Sequence, residues 1–154
     1  MKNILSNLTF EKLKFNEINT IKELETEQNI SILSLNSIYS DFGSDTSKYY
    51  IVKYNDLIVA YTNFSIVCET IEINSIVVKK DFKRKKIGTF ILNNILEISR
   101  INNIERVLLE VRLSNIPGKM LYENFGFKKI NIRKKYYPDN HEDAIIYEYK
   151  VRTD

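Results

Sequence analysis

INSIVVKKDFKRKKIGTFILNNILEISRINNIERVLLEVR, residues 73–112, decides the fold. Three β-branched residues in a row, Ile76, Val77 and Val78, read as the end of a central strand. Six cations follow, Lys79, Lys80, Lys83, Arg84, Lys85 and Lys86, against a single acid, Asp81. Ile87, Ile91, Ile95 and Ile98 then recur at helical spacing, with Gly88 near the start, so Ile87 to Ile101 is predicted as a helix. Glu105 to Arg112 returns to strand character. A helix of this length between two strands makes a crossover that leaves the strands parallel. The loop entering the helix offers unpaired backbone N–H groups and the positive end of the helix dipole, a natural seat for a phosphate.

Upstream, Leu8 to Leu13 alternates as a strand, and Ile18, Ile21 and Leu24 share one helical face. A second short helix is expected around Ser31 to Tyr39, and Asp41 to Ser47 is a run of turn formers. Lys48–Tyr54, Leu57–Val67 and Thr70–Val78 read as an antiparallel meander, the first pair joined by the Asn55-Asp56 turn. Downstream, Ser114-Asn115-Ile116-Pro117 opens a helix with a capping side chain and Pro in its first turn, and Phe125-Gly126 closes it. Strands from Phe127 to Arg133 and Ala144 to Val151, joined by the Tyr137–Asn140 turn, complete the chain. The expected class is α+β in one domain, 1–154: a mixed, mostly antiparallel sheet with helices on both faces and a strand-helix-strand core.

The 154 residues are 44% hydrophobic and 28% charged, a composition that excludes general disorder. The longest apolar run, Leu57 to Tyr61, is far short of the roughly 18 residues of a membrane span. No signal-peptide core is read in MKNILSNLTFEKLKF, so the cytoplasm is the expected compartment and no membrane partner is expected. A single cysteine, Cys68, and a single histidine, His141, exclude an internal disulfide and the multi-Cys and paired-His metal motifs. Cys68 reads as a small buried strand residue without a basic neighbour. Net charge of +3 conceals an asymmetry: residues 1–78 sum to −4 and residues 79–154 to +7. The second half expects an anion.

With the ordered motifs INSIVVKKDFKRKKIG, LLEVRLSN, LYENFGF and RKKYYP followed by EDAI, the chain resembles the GCN5-related N-acetyltransferases (GNAT). Within that family it is most similar to the bacterial ribosomal-protein-alanine N-acetyltransferases. The motifs span residues 73–147, and the first 70 residues match only in layout. The resemblance implies acetyl-CoA as cofactor, cradled by Arg84, Lys85, Lys86, Ile87, Gly88 and Thr89. It also implies pairing of the pantetheine arm with the backbone of Ile76, Val77 and Val78. Lys86 stands where the family usually has Gly, in a conformation that disfavours a side chain by about 1 kcal/mol. Asn115 matches a residue that bonds the cofactor, while its local chemistry equally fits a helix cap.

Glu110 matches the general base. Alternation puts Val107, Leu109 and Val111 on one face of the strand and Leu108, Glu110 and Arg112 on the other. A carboxylate there suits removal of the proton from an ammonium, because amines attack thioesters only when neutral. The competing reading is an ordinary strand glutamate paired with Arg112 or a lysine. Tyr122 matches the general acid that protonates the departing thiolate; a packed helix tyrosine is the plain alternative. Arg133, Tyr136, Tyr137, Glu142 and Asp143 resemble the segment bordering the peptide cleft, or else form a surface hairpin of mixed charge. The resemblance therefore implies acetyl transfer to a protein N-terminus, the alanine of a ribosomal protein, by direct attack in a ternary complex. The alternatives are a small amine or a lysine side chain as acceptor, or a catalytically silent RNA- or ribosome-binding module using Lys128, Lys129, Arg133, Lys134 and Lys135. No recognised RNA motif is present, so no specific nucleic acid is expected.

Overall fold

The computed structural model describes residues 3–30, 32 and 34–151. Its strands are β1 (Leu8–Lys12), β2 (Ser47–Tyr54), β3 (Leu57–Val67), β4 (Thr70–Val78), β5 (Arg106–Arg112), β6 (Lys128–Arg133) and β7 (Ala144–Lys150). They form one sheet in the order β1-β2-β3-β4-β5-β7-β6, antiparallel throughout except where β4 meets β5. The helices are α1 (Ile18–Glu27), α2 (Leu35–Asp41), α3 (Ile87–Ile101) and α4 (Ile116–Phe125). The α+β class and the parallel crossover match the sequence reading. Ser31 lies outside the described residues, and the second helix begins at Leu35, capped by the Ser34 hydroxyl, which accepts from Ser37 N at 3.1 Å.

Two tight turns set the meander's register. Asn55 and Asp56 both take positive φ, 45° and 69°, as the commonest two-residue hairpin turn requires. The β3–β4 turn is made by Cys68 and Glu69, with Cys68 at φ 53°. Cys68 is therefore exposed in a turn, not buried in a strand. The β-branched runs on either side conceal the turn, since no Gly, Asn or Pro marks it.

Helices cover both faces. Ile18, Ile21 and Leu24 of α1 and Ile38 of α2 pack on Tyr49, Ile51, Tyr61 and Val77. Ile87, Ile91, Leu92, Ile95 and Leu96 of α3 fill the opposite core with Val59, Phe64, Ile71, Val107, Leu109 and Val111. Under α1 lies a fully buried carboxylate, Glu25, which accepts a hydrogen bond from the Tyr61 hydroxyl and pairs with Lys22 at 2.5 Å. Burial and that carboxylate push the Tyr61 phenol far up.

The sheet opens where β4 leaves β5. The parallel ladder runs only from Thr70↔Arg106 to Ile73↔Leu109. There β4 carries a bulge: Asn63 faces Ser75 and Phe64 faces Ile73, leaving Asn74 extra. An extra residue reverses the phase of the strand. Ile71 and Ile73 before the bulge, and Ile76 and Val78 after it, all contact the α3 core, while Val77 turns to the α1 side. Beyond it, β4 pairs with β3 alone and β5 with β7 alone, so their facing edges part.

Candidate active site

The split is bordered on one side by Ile76, Val77 and Val78, paired to Thr62, Tyr61 and Ala60 of β3. Their side chains belong to the two cores. What they present to the opening is backbone, whose N–H and C=O groups on that edge have no β5 partner.

The basic loop runs directly from this edge. Lys79 is tied down, its ammonium 2.9 Å from Glu27 at the end of α1. Lys83, Arg84, Lys85 and Lys86 are exposed, and none has an ion-pair partner among the described residues. Arg84 takes φ 59°, and Lys86, the N-cap of α3, takes φ 65° and ψ 19° in the left-handed region. No side chain caps this helix. The N–H groups of its first turn, over Ile87, Gly88 and Thr89, therefore have no acceptor within the helix. Left-handed residues in such a loop turn successive N–H groups to one side, forming an anion-binding concavity. A pyrophosphate fits this cradle of donors and cations, and an extended amide chain fits the open edge of β4. Ile87 itself is buried, so it offers only its backbone. Gly88 packs against α4 besides: a Cβ there would meet Leu121 Cδ2 at 2.8 Å, so a larger residue requires the Leu121 side chain to shift. Asn115 caps α4, Oδ1 accepting from Gly118 N at 3.0 Å, which leaves its amide donors for another partner.

Across the split, Glu110 lies mid-β5 on the face away from α3, opposite Ile146. Its side chain is 28% exposed, and Oε1 is 3.3 Å from Arg133 Nε on β6. Arg133 is thus the partner, in place of the Arg112 that strand alternation suggests. Tyr136 sits beside the same carboxylate, and this interaction, ahead of desolvation, holds its phenol above the ordinary range. Glu110, Arg133, Tyr136 and Tyr137 line an open cleft of about 530 Å³ with Leu108 and Ile146 in its floor.

The segment from Lys134 to Asp143 is braced onto the end of β5. The Arg112 guanidinium lies 3.9 Å over the Tyr137 ring and reaches Asp139 at 3.0 Å and Glu142 at 3.4 Å. Glu142 accepts from Ser114 N at 2.6 Å, and the Ser114 hydroxyl first and its backbone N–H second, with Asn140 and Arg112 contributing, hold its carboxyl down at about 2. Asp143 accepts from Lys135 N at 2.9 Å, which lowers its carboxyl, and pairs with Lys134 at 3.2 Å. Of the five residues that the family resemblance assigns to a peptide cleft, Arg133, Tyr136 and Tyr137 line the open cleft beside Glu110, while the carboxylates of Glu142 and Asp143 accept the hydrogen bonds of the brace. The sequence reading did not foresee that Arg112 and Asp139 would hold this segment in place. The alternation that singled out Glu110 already places Arg112 on the same face.

Tyr122 projects from α4 against Phe127 and Tyr147, ring centroids at 5.8 and 6.2 Å. Burial, with Tyr137 adding a smaller effect, pushes its phenol up to about 12, so it keeps its proton across the physiological range. Tyr137 is the shared neighbour, since its own phenol is raised by burial and by Glu110. The break in the sheet is thus bordered by the open edge of β4 on one side and by the Glu110 strand on the other, with the basic loop and the uncapped head of α3 following directly from β4.

Comparison with known proteins places this arrangement. Residues 15–127 match the Acetyltransferase (GNAT) family. A protein of Bacillus subtilis (strain 168), provisionally named a [ribosomal protein bS18]-alanine N-acetyltransferase, is 30% identical over 135 residues, which cover 87% of this chain and 89% of that one. The crystal structure of the ribosomal-protein-S18-alanine N-acetyltransferase from Escherichia coli superposes with a TM-score of 0.87 at 24% identity, over 96% of each chain. A spermidine N-acetyltransferase from Vibrio cholerae, solved in complex with CoA and spermine, shares the fold with a TM-score of 0.83 at 16% identity, over 95% of this chain and 96% of that one. With the family matched over residues 15–127 and a relative 30% identical along 87% of the chain, the chain belongs to the GNAT family and is an acetyl-CoA-dependent N-acetyltransferase.

Proposed function

We propose that the enzyme acetylates the N-terminal α-amino group of a protein, the N-terminal alanine of a ribosomal protein being the favoured acceptor. The observation that carries this reading is the placement of the Glu110 carboxylate. It lies in an open cleft of about 530 Å³, beside the split between β4 and β5. The names borne by the Bacillus subtilis and Escherichia coli proteins point the same way.

Acetyl-CoA supplies an activated acyl group as a thioester. In a ternary complex, Glu110 takes the proton that the acceptor's ammonium must lose before its nitrogen attacks, directly or through one water. Arg133 and Tyr136 fix the carboxylate's orientation. Backbone N–H groups on the open edge of β4, Ile76 to Val78, hold the carbonyl oxygen as negative charge develops on it. Tyr122 gives its proton to sulfur as the carbon–sulfur bond breaks. Arg84 to Thr89 and the free amide of Asn115 anchor the cofactor. Tyr137 borders the acceptor's first residues, and the Glu142 and Asp143 brace holds that wall in position.

The test is mass-spectrometric mapping of the acetyl group after reaction with a short peptide that begins with alanine and carries an internal lysine. The same peptide with a blocked N-terminus, and spermidine, are run beside it. Acetylation at the α-amino group alone supports the reading. Acetylation at lysine, or of spermidine in preference to the peptide, replaces it with a side-chain or polyamine acceptor.

A further inference from the structure

The cleft extends past Glu110 along the uncovered half of the sheet. Glu72 of β4 pairs with Leu108 in the parallel ladder, and Leu108 lies two residues before Glu110 on the same face of β5. All three line the cleft. One strand spacing across and two residues along put the Glu72 and Glu110 backbones roughly 8 Å apart.

The charges along this cleft are unequal. Glu110 has a cation in Arg133. Glu72 is exposed and has no hydrogen bond or ion pair among the described residues. Its polar neighbours are otherwise engaged. Asn74 bonds Asn63 and Ser65, and Arg106 bonds Thr70 and pairs with Glu148. The far end of the cleft thus carries an uncompensated negative charge.

We propose that Glu72 selects acceptors with a cationic side chain at the second or third residue. This inference rests on the N-terminal acceptor reading. With the α-amino group at Glu110, an extended chain rising about 3.3 Å per residue brings the second or third side chain to Glu72. The intervening floor, Leu108 and Ile146, is apolar and lets an extended peptide lie flat. The pair that forms at Glu72 is partly solvated, so it discriminates through attraction of a cation and repulsion of an anion and not through depth of burial.

The test uses peptides that begin with alanine and are identical except for Lys, Gln or Glu at the second position, and then at the third. kcat/KM is measured for the wild type, Glu72→Gln and Glu72→Lys, at low salt and at about 0.5 M salt. The wild type is expected to favour Lys over Glu by about five- to tenfold at one of the two positions, and less at high salt. Glu72→Gln is expected to flatten the order and Glu72→Lys to invert it. Equal turnover of all peptides by the wild type overturns the inference and leaves the acceptor reading intact, as does an order that both variants retain. Should Glu72→Lys lose all turnover, the Glu72→Gln profile decides in the same way. No turnover of any peptide with a free N-terminus overturns the acceptor reading, and this inference with it.

Discussion

Lys86 holds a backbone conformation, φ 65° and ψ 19°, that crowds a β-carbon against the following carbonyl. The family resemblance had already marked this position as one that ordinarily has glycine, and the geometry supplies the physical reason. Strain and charge oppose each other here. Glycine would relieve about 1 kcal/mol and raise the melting temperature by roughly 2–4 °C. The same change removes one cation from the loop proposed to hold the cofactor's phosphates. Lys86→Gly is therefore expected to be more stable in thermal unfolding and to bind acetyl-CoA more weakly at low salt, the binding deficit narrowing as salt rises. Glu110 and Tyr122 were singled out in the sequence by the family resemblance, since their own residue types fit a strand ion pair and a packed helix tyrosine equally well. Their partners were not. Arg133 reaches Glu110 from two strands away, and the β6–β7 register slips between Lys129 and Asn131, so no counting along the chain finds that pair.

The segment between β6 and β7 acts as a unit whose position depends on one end of β5. Glu142 is its anchor, accepting from Ser114 N, Arg112 and Asn140. Its carboxyl falls from 4.5 to about 2 on folding, so the stability it contributes is complete above pH 4.5 and is lost as pH falls towards 2. Glu142→Ala is expected to lower the melting temperature at pH 7, and the gap from the wild type is expected to close as pH is taken down through that window. Because Tyr137 sits on the braced segment, the same variant should raise the KM for a peptide acceptor more than that for acetyl-CoA. The sequence left these residues between two accounts, a border of the peptide cleft and a surface hairpin of mixed charge, because both have the same composition. The hydrogen bonds to Ser114 N and Lys135 N are long-range or depend on loop geometry, so composition does not reveal them.

At the scale of the molecule, the proposed function rests on a sheet that fails to close. Four residue pairs join β4 to β5, and a one-residue bulge at Asn74 ends the ladder. That bulge was written in the sequence as a phase slip, apolar residues moving from odd positions, Ile71 and Ile73, to even ones, Ile76 and Val78. It is easily taken for a continuous β-branched run. The charge asymmetry was fully legible, and it places the basic half beside the opening. If this opening with its cradle holds acetyl-CoA, a hundredfold excess over the dissociation constant should stabilise the fold by about 2.7 kcal/mol in thermal unfolding. Neutralising Arg84 and Lys85 together should reduce that gain.

The central claim is that Glu110 and Tyr122 move the two protons of acetyl transfer to an N-terminal amine. Its most direct test is the rate of thiol release with an alanine-initiated peptide at saturating acetyl-CoA, for the wild type, Glu110→Gln and Tyr122→Phe. Thermal stabilisation by acetyl-CoA, measured in parallel, checks that each variant still holds the cofactor. Each variant is predicted to lose about 100-fold or more in kcat while acetyl-CoA still stabilises it. Near wild-type turnover by either variant, or equal turnover with the N-terminus blocked, would contradict the account.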